Sequence, residues 1–414
     1  MVTAISIIYF LYISTKLYAS VMQIAYVRRA MTQKAVLLEP SKYYEAGEYV
    51  LVKEKLSLIN SLVEYAIFIF WMNSGLVWLD SLVTGQSSLL SAIIFVLSFL
   101  AINWLITLPF EIYMKFVIDE RFGYNNSSIS LYVKDTIKSI ALTVLIGSAV
   151  IAGLYYFIIE FTSWWLYSFL FLFSIIIVAN MIYPTIIAPM FNKMSPLESS
   201  ELKEKIENLL ETFGFDSSGV FVVDASKRDS RLNAYFGGFG KSKRVVLFDT
   251  LIEKLETVEL LAVLGHELGH FKHGDIYKNM AVMGSLLFVM FFGMGHLDSD
   301  TLALFGLEYS THMLMVLFLL FSAPVFFFAM PLIGVISRHN EFAADRAASE
   351  FSKTPLYLAE ALKKLVTENK SFPRSHPVYI FFYYTHPPIL QRLEELGVKI
   401  DEESSLAEPD PTHN

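Results

Sequence analysis

The chain has no cysteine, so it can form neither a disulfide framework nor a thiolate metal site. Any metal it binds must be held by histidine, aspartate or glutamate. Charge is also scarce: 17% of the 414 residues are charged against 54% hydrophobic, with a mean hydropathy of +0.49. That is too little charge for an ordinary soluble protein of this length and points to the membrane. There is no basic excess, since the net charge is -8, and the aromatic residues lie in apolar runs rather than among lysines. Nucleic acid is therefore excluded as a partner. The N-terminus lacks a basic leader and a small-residue cleavage site, so its apolar stretch reads as a retained span rather than a signal peptide. No lipidation signal is present.

Seven apolar stretches reach the roughly 20 residues that a membrane helix needs, at about 3–24, 58–82, 88–110, 139–159, 164–189, 276–297 and 311–336. Lysine and arginine number 6 in loop 25–57, 4 in 111–138, 12 in 190–278 and 9 in 337–414, and none falls in 83–87, 160–163 or 298–310. By the positive-inside rule the N-terminus is outside and the C-terminus cytoplasmic. Lys16, Glu64 and Asp80 lie inside predicted spans, where lipid is costly, so they should face protein or water.

A polar module follows the fifth span. Ser195-Pro196-Leu197-Glu198 reads as a capping box opening a helix through Leu210. Gly219 to Val223, Asn233 to Phe236 and Val245 to Phe248 read as short strands, the last two joined by the turn Gly237-Gly238-Phe239-Gly240. Thr250-Leu251-Ile252-Glu253 reads as a second capping box, before a helix broken near Thr257 that carries His266-Glu267-Leu268-Gly269-His270. Residues four apart share a helix face, so His266 and His270 can address one metal with Glu267 beside it. Read alone, the pattern also fits a surface helix with two histidines.

Catalytic zinc takes three protein ligands. His273 is a poor third, because seven residues along one helix place it about 10 Å from His266. Glu341, on the helical extension of the seventh span, can reach from a second helix, and Asp345 four residues on can support a ligand histidine. The alternative is that Glu341 and Asp345 pair with Arg338 and Arg346 on a solvated helix face. Residues 354–368 read as a further helix, followed by the aromatic segment Pro377 to Tyr384. Thr385-His386-Pro387-Pro388 then opens a last helix with Arg392, and an acidic, disordered tail begins at Asp401.

Several motifs, in order, resemble the type-1 CAAX prenyl protease family of integral-membrane zinc metalloproteases, of gluzincin type. They are Leu108-Pro109-Phe110; Phe116 to Gly123; Pro189-Met190-Phe191-Asn192; Asn233-Ala234-Tyr235-Phe236; Arg244 to Leu251; His266 to His270; Asn340-Glu341-Phe342 with Ala344-Asp345; and His386-Pro387 with Arg392. The resemblance implies a mainly α, polytopic membrane protein, with seven transmembrane helices enclosing a water-filled chamber and a small α/β zinc-protease module on the cytoplasmic side. It implies one zinc ion per chain on His266, His270 and Glu341, Glu267 as general base, and Asn233 and His386 as donors to the oxyanion. Asp345 and Arg392 would support these groups. Read without it, Asn233 is a turn residue and His386 a capping neighbour of two prolines.

The expected domains are 1–191 with five spans, 192–275 as the metalloprotease module, 276–337 with two spans, 338–400 completing the site, and a tail 401–414. The implied partners are the lipid bilayer and a peptide or protein substrate, either prenylated or membrane-inserted. The strand at Asn233 to Phe236 offers an edge for such a peptide. One alternative duty is bacterial membrane-protein quality control without prenyl dependence. The lack of an ER-retrieval tail favours a bacterial cytoplasmic membrane over the ER. A metal-binding transporter is the alternative of another class, but of 9 histidines only His296 and His312 lie near the external ends of spans and none at a span centre.

Overall fold

In lipid a backbone must satisfy its own polar groups, and an apolar run can do so only as a helix. The computed structural model describes residues 2–83, 88–198, 200–215, 217–238, 243–303, 307 and 310–399. The tail expected from Asp401 lies outside these residues, as does the Phe239-Gly240 part of the expected turn. Seven of the described helices are long and apolar enough to cross a membrane: Ser6–Met31, Pro40–Val83, Ser88–Asp119, Ile129–Glu160, Trp164–Phe191, Asp275–Gly295 and Thr311–Ser352.

They match the expected spans in number, but several run well past the apolar stretch. The second begins at Pro40, and its 44 residues make a helix about 66 Å long, twice the roughly 30 Å of hydrocarbon. Its extra turns carry Lys42, Glu45, Glu48, Lys53, Glu54 and Lys55, so hydropathy marks only the lipid-facing length. Each span packs on the next, and the seventh returns to the first, closing a ring. Only 6% of the most apolar window of the fourth and of the fifth span is buried. Both helices therefore expose most of their apolar surface. The charges within the spans are paired: Lys16 with Glu64 at 2.5 Å, and Asp80 with His312 at 2.7 Å.

The module holds four strands: β1 (Met194–Pro196), β2 (Val220–Val223), β3 (Ala234–Gly237) and β4 (Arg244–Phe248). Their order is β1-β2-β4-β3, with β2 and β4 parallel and the outer pairs antiparallel. The capping box expected at Ser195 is not there. Ser195 and Pro196 belong to β1, an edge strand that tolerates a residue without an N–H. The helix starts instead at Glu201, where the Ser200 hydroxyl accepts from the Lys203 N–H. It buries Ile206, Leu209 and Leu210 in the core that also takes Leu260, Leu264 and Leu268.

The second expected box fails too, because the Thr250 hydroxyl donates to the Arg231 carbonyl at 3.1 Å. The expected break is present, and past it the helix Thr257–Lys272 opens with Glu259 accepting from the Glu256 N–H at 2.8 Å. The polar motifs before the module are clasps: Asp119 receives Tyr49 and Arg231, and Arg228 donates to Asp135 and Asn192. They tie the sheet to the second to fifth spans. Helices Leu356–Glu368, Pro377–Tyr383 and Ile389–Glu395 close the chain.

Helix Thr257–Lys272 lies along the extension of the seventh span with glycines at the contact. A Cβ on Gly269 would sit 2.9 Å from the Ala344 Cα, whereas one on Gly265 would meet nothing nearer than 3.6 Å. Gly269→Ala should therefore force the helices apart and cost about 1–3 kcal/mol. Gly265→Ala should be neutral or stabilising, since alanine favours the helix. Thermal or denaturant midpoints of the two variants check the contrast, and equal midpoints would contradict the packing.

Candidate metal centre

His266 and His270 lie four positions apart on one helix, and their rings stand 4.8 Å apart at 86°. The Nδ1 of His266 lies 2.8 Å from Asp345 Oδ1, and the Nδ1 of His270 lies 2.9 Å from Asp275 Oδ2. With both Nδ1 atoms engaged, both Nε2 atoms turn to one carboxylate: His266 Nε2 is 3.4 Å from Glu341 Oε2 and His270 Nε2 is 3.2 Å from Glu341 Oε1. The three ligand atoms lie within 4.8 Å of one another. This nitrogen and oxygen set, without sulfur, fits a zinc ion. The fit has a further sign, since Glu341 Oε2 is buried with no hydrogen-bond partner among the described residues.

Glu341 and Asp345 are 3% and 0% exposed, which rules out the solvated-face alternative. Their suggested partners point elsewhere, Arg338 to the Tyr384 carbonyl at 2.6 Å and Arg346 to Glu395 at 3.2 Å. Arg392 is the cation that compensates them. It is buried, grips Asp345 through two hydrogen bonds of 2.9 and 2.6 Å, and stands 3.5 Å from Glu341 Oε2. Planar guanidinium suits that two-point grip. His273 caps the end of its helix and is not among the three clustered ligand residues.

The other expected residues surround this cluster unevenly. Glu267 is half-buried on the same helix. His386 is 65% exposed, with Nδ1 2.8 Å from Glu341 Oε1, so it stands at the solvent side of the ligands. Asn233 is exposed just before β3, and its Oδ1 accepts from the Ala234 N–H at 2.8 Å, which leaves its amide N–H groups available to donate. Asp275 is a further residue of the site, one that the sequence pattern does not mark. Its one legible signal is position, just past the glycine that ends the histidine helix.

Burial pushes the His266 imidazole down, but the carboxylates of Asp345 and Glu341 beside it outweigh that and raise the group to about 9. His270 is also raised, burial being outweighed chiefly by its bonds to Glu341 and Asp275.

A seven-span membrane protein carrying this histidine, histidine and glutamate centre has the build of a membrane-embedded metallopeptidase. Residues 23–193 match the family described as CAAX prenyl protease N-terminal, five membrane helices, and residues 196–399 match peptidase family M48. A CAAX prenyl protease 1 homolog of Oryza sativa subsp. japonica is 32% identical over 371 residues, covering 88% of this chain and 86% of the relative. CAAX prenyl protease 1 of Saccharomyces cerevisiae is 32% identical, covering 87% and 86%. The crystal structure of S. mikatae Ste24p superposes with a TM-score of 0.86 at 27% identity, over 95% of this chain and 98% of that one. The chain belongs to the CAAX prenyl protease 1 family within peptidase family M48 and is a multi-pass membrane protease. These relatives are plant and fungal and lend no support to a bacterial membrane.

Metal binding needs neutral imidazoles, and the carboxylates around His266 favour its protonated form near neutral pH. Loading with zinc at pH 7 should therefore release protons, and affinity should rise as pH climbs toward about 9. For the metal-free fold the sign is opposite: the raised imidazole adds stability below its ordinary value of 6.5, and this is lost as pH rises through about 9. Calorimetry in buffers of different ionisation enthalpy measures the released protons, and a buffer-independent heat would contradict the assignment.

Proposed function

We propose that the chain is a zinc-dependent endopeptidase that hydrolyses a peptide bond with an activated water. The observation that carries this is the convergence of His266 Nε2, His270 Nε2 and the Glu341 carboxylate, each held by a second polar contact. When bound, zinc supplies Lewis-acid polarisation of the scissile carbonyl and lowers the pKa of water. Glu267, next to His266 on the helix, takes the proton from the attacking water and returns it to the leaving amine. His386 and the free amide of Asn233 donate to the oxyanion as it develops. Asp345 and Arg392 act behind the ligands, fixing the His266 ring and compensating the charge of Glu341.

The edge position of β3, which pairs only with β4, supports its use as the rail for an extended substrate. The relatives are named for C-terminal CAAX peptides, and we take such a peptide, delivered from the membrane, as the substrate class. The charge of the loops supports an external N-terminus, with residues 192–275 and 338–400 together forming the cytoplasmic catalytic part.

Purified protein assayed on matched farnesylated and unprenylated peptides, with metal content measured in parallel, tests this. Glu267→Gln should keep its zinc and lose about 10²–10⁴-fold in turnover. Glu341→Ala should lose both metal and cleavage. Full activity of Glu267→Gln would sink the mechanism, and equal turnover of the two peptides would remove prenyl dependence while leaving the protease intact.

A further inference from the structure

The ligand His270 is held by a residue that the catalytic constellation above does not use. Asp275 is 4% exposed, with Oδ2 2.9 Å from His270 Nδ1 and Oδ1 2.7 Å from the Lys278 ammonium. On a continuous helix a residue five positions on lies about 140° round and about 7.5 Å along, out of reach of that ring. The backbone breaks to allow the contact: the helix ends at Lys272, Gly274 sits at φ +67°, and Asp275 opens the sixth span. An acid in the first turn of a helix is favoured by the helix dipole alone. The dipole does not require it to be buried or to face an imidazole.

We propose that Asp275 is a positioning residue for the metal, an inference that rests on the zinc reading above. By accepting the Nδ1–H it holds His270 in the tautomer whose Nε2 lone pair faces Glu341, while Lys278 takes the other oxygen and fixes the plane of the carboxylate. Asp345 serves His266 in the same way from the extension of the seventh span. The two ligand rings are thus steered by carboxylates on two different membrane helices, and the ends of the sixth and seventh spans set the angle between the nitrogen donors.

The test uses the full chain in detergent and reads zinc affinity by chelator competition, the visible spectrum of the cobalt-loaded protein, and the melting temperature of the metal-free protein. Asp275→Asn should weaken zinc about 10–100-fold and shift the cobalt bands, an effect separate from the fall in metal-free melting temperature that losing its contacts to His270 and Lys278 brings. Asp275→Glu, which restores the carboxylate, should recover part of the affinity and keeps the test open if the asparagine variant does not fold. Lys278→Met, which leaves the carboxylate in place, should change affinity less than Asp275→Asn. Wild-type affinity and an unshifted cobalt spectrum in Asp275→Asn would overturn the proposal. So would a fall in metal-free melting temperature with no spectral change, which is the mark of a structural role. Wild-type protein that binds no zinc would instead refute the metal centre itself, so the two failures are distinguishable.

Discussion

Between Gly269 and Ala344 there is no room for one more carbon atom. At that distance two helices exchange side-chain groups directly rather than through intervening layers, and the centre is built on that closeness. One helix lies between the sheet and the sixth span and brings the two imidazoles. The other is the far end of a membrane span and brings Glu341 and Asp345. Neither carries a complete site. A shift of the kind that a single methyl group demands would move the carboxylate relative to both nitrogens, and coordination tolerates little of that.

Charge explains what else the joint needs. Glu341 and Asp345 are two buried carboxylates, and Arg392 is a buried guanidinium that touches both. Buried charges must be compensated or they neutralise. The negative charge that remains raises the neighbouring imidazoles of His266 and His270. The same negative charge suits the cluster to a cation. Arg392 comes from the last helix of the described chain, so the pocket is assembled only when the C-terminal segment has docked.

That docking depends on polar contacts spread along the whole chain. Gln23 of the first span binds Ser375 and the His376 N–H, Glu54 of the second accepts from Tyr379, and Lys370 reaches Glu45. The segment leading to His386 is therefore moored to the helices that open the chain. A family motif such as Phe116 to Gly123 fits here as well: through Asp119 it joins Tyr49 of the second span to Arg231 beside the sheet.

Sequence alone determined the local and the periodic. Seven apolar runs imply seven helices because lipid allows no other backbone, and two histidines four apart share a face because 3.6 residues make a turn. Two capping boxes matched the pattern and failed, because Pro196 was drawn into an edge strand and Thr250 bonded to Arg231 instead. Propensity is a local quantity, and those contacts are not local. Hydropathy likewise missed the polar turns that carry the second span back to Pro40. Glu341 was legible as a candidate, but the same residues equally described a solvated face. Only tertiary packing decided between them, by burying Glu341 against rings more than 70 positions earlier. Asp275 shows the limit most directly. Its contact with His270 exists because Gly274 turns the chain left-handed, and a turn's destination is set by what both of its arms pack against.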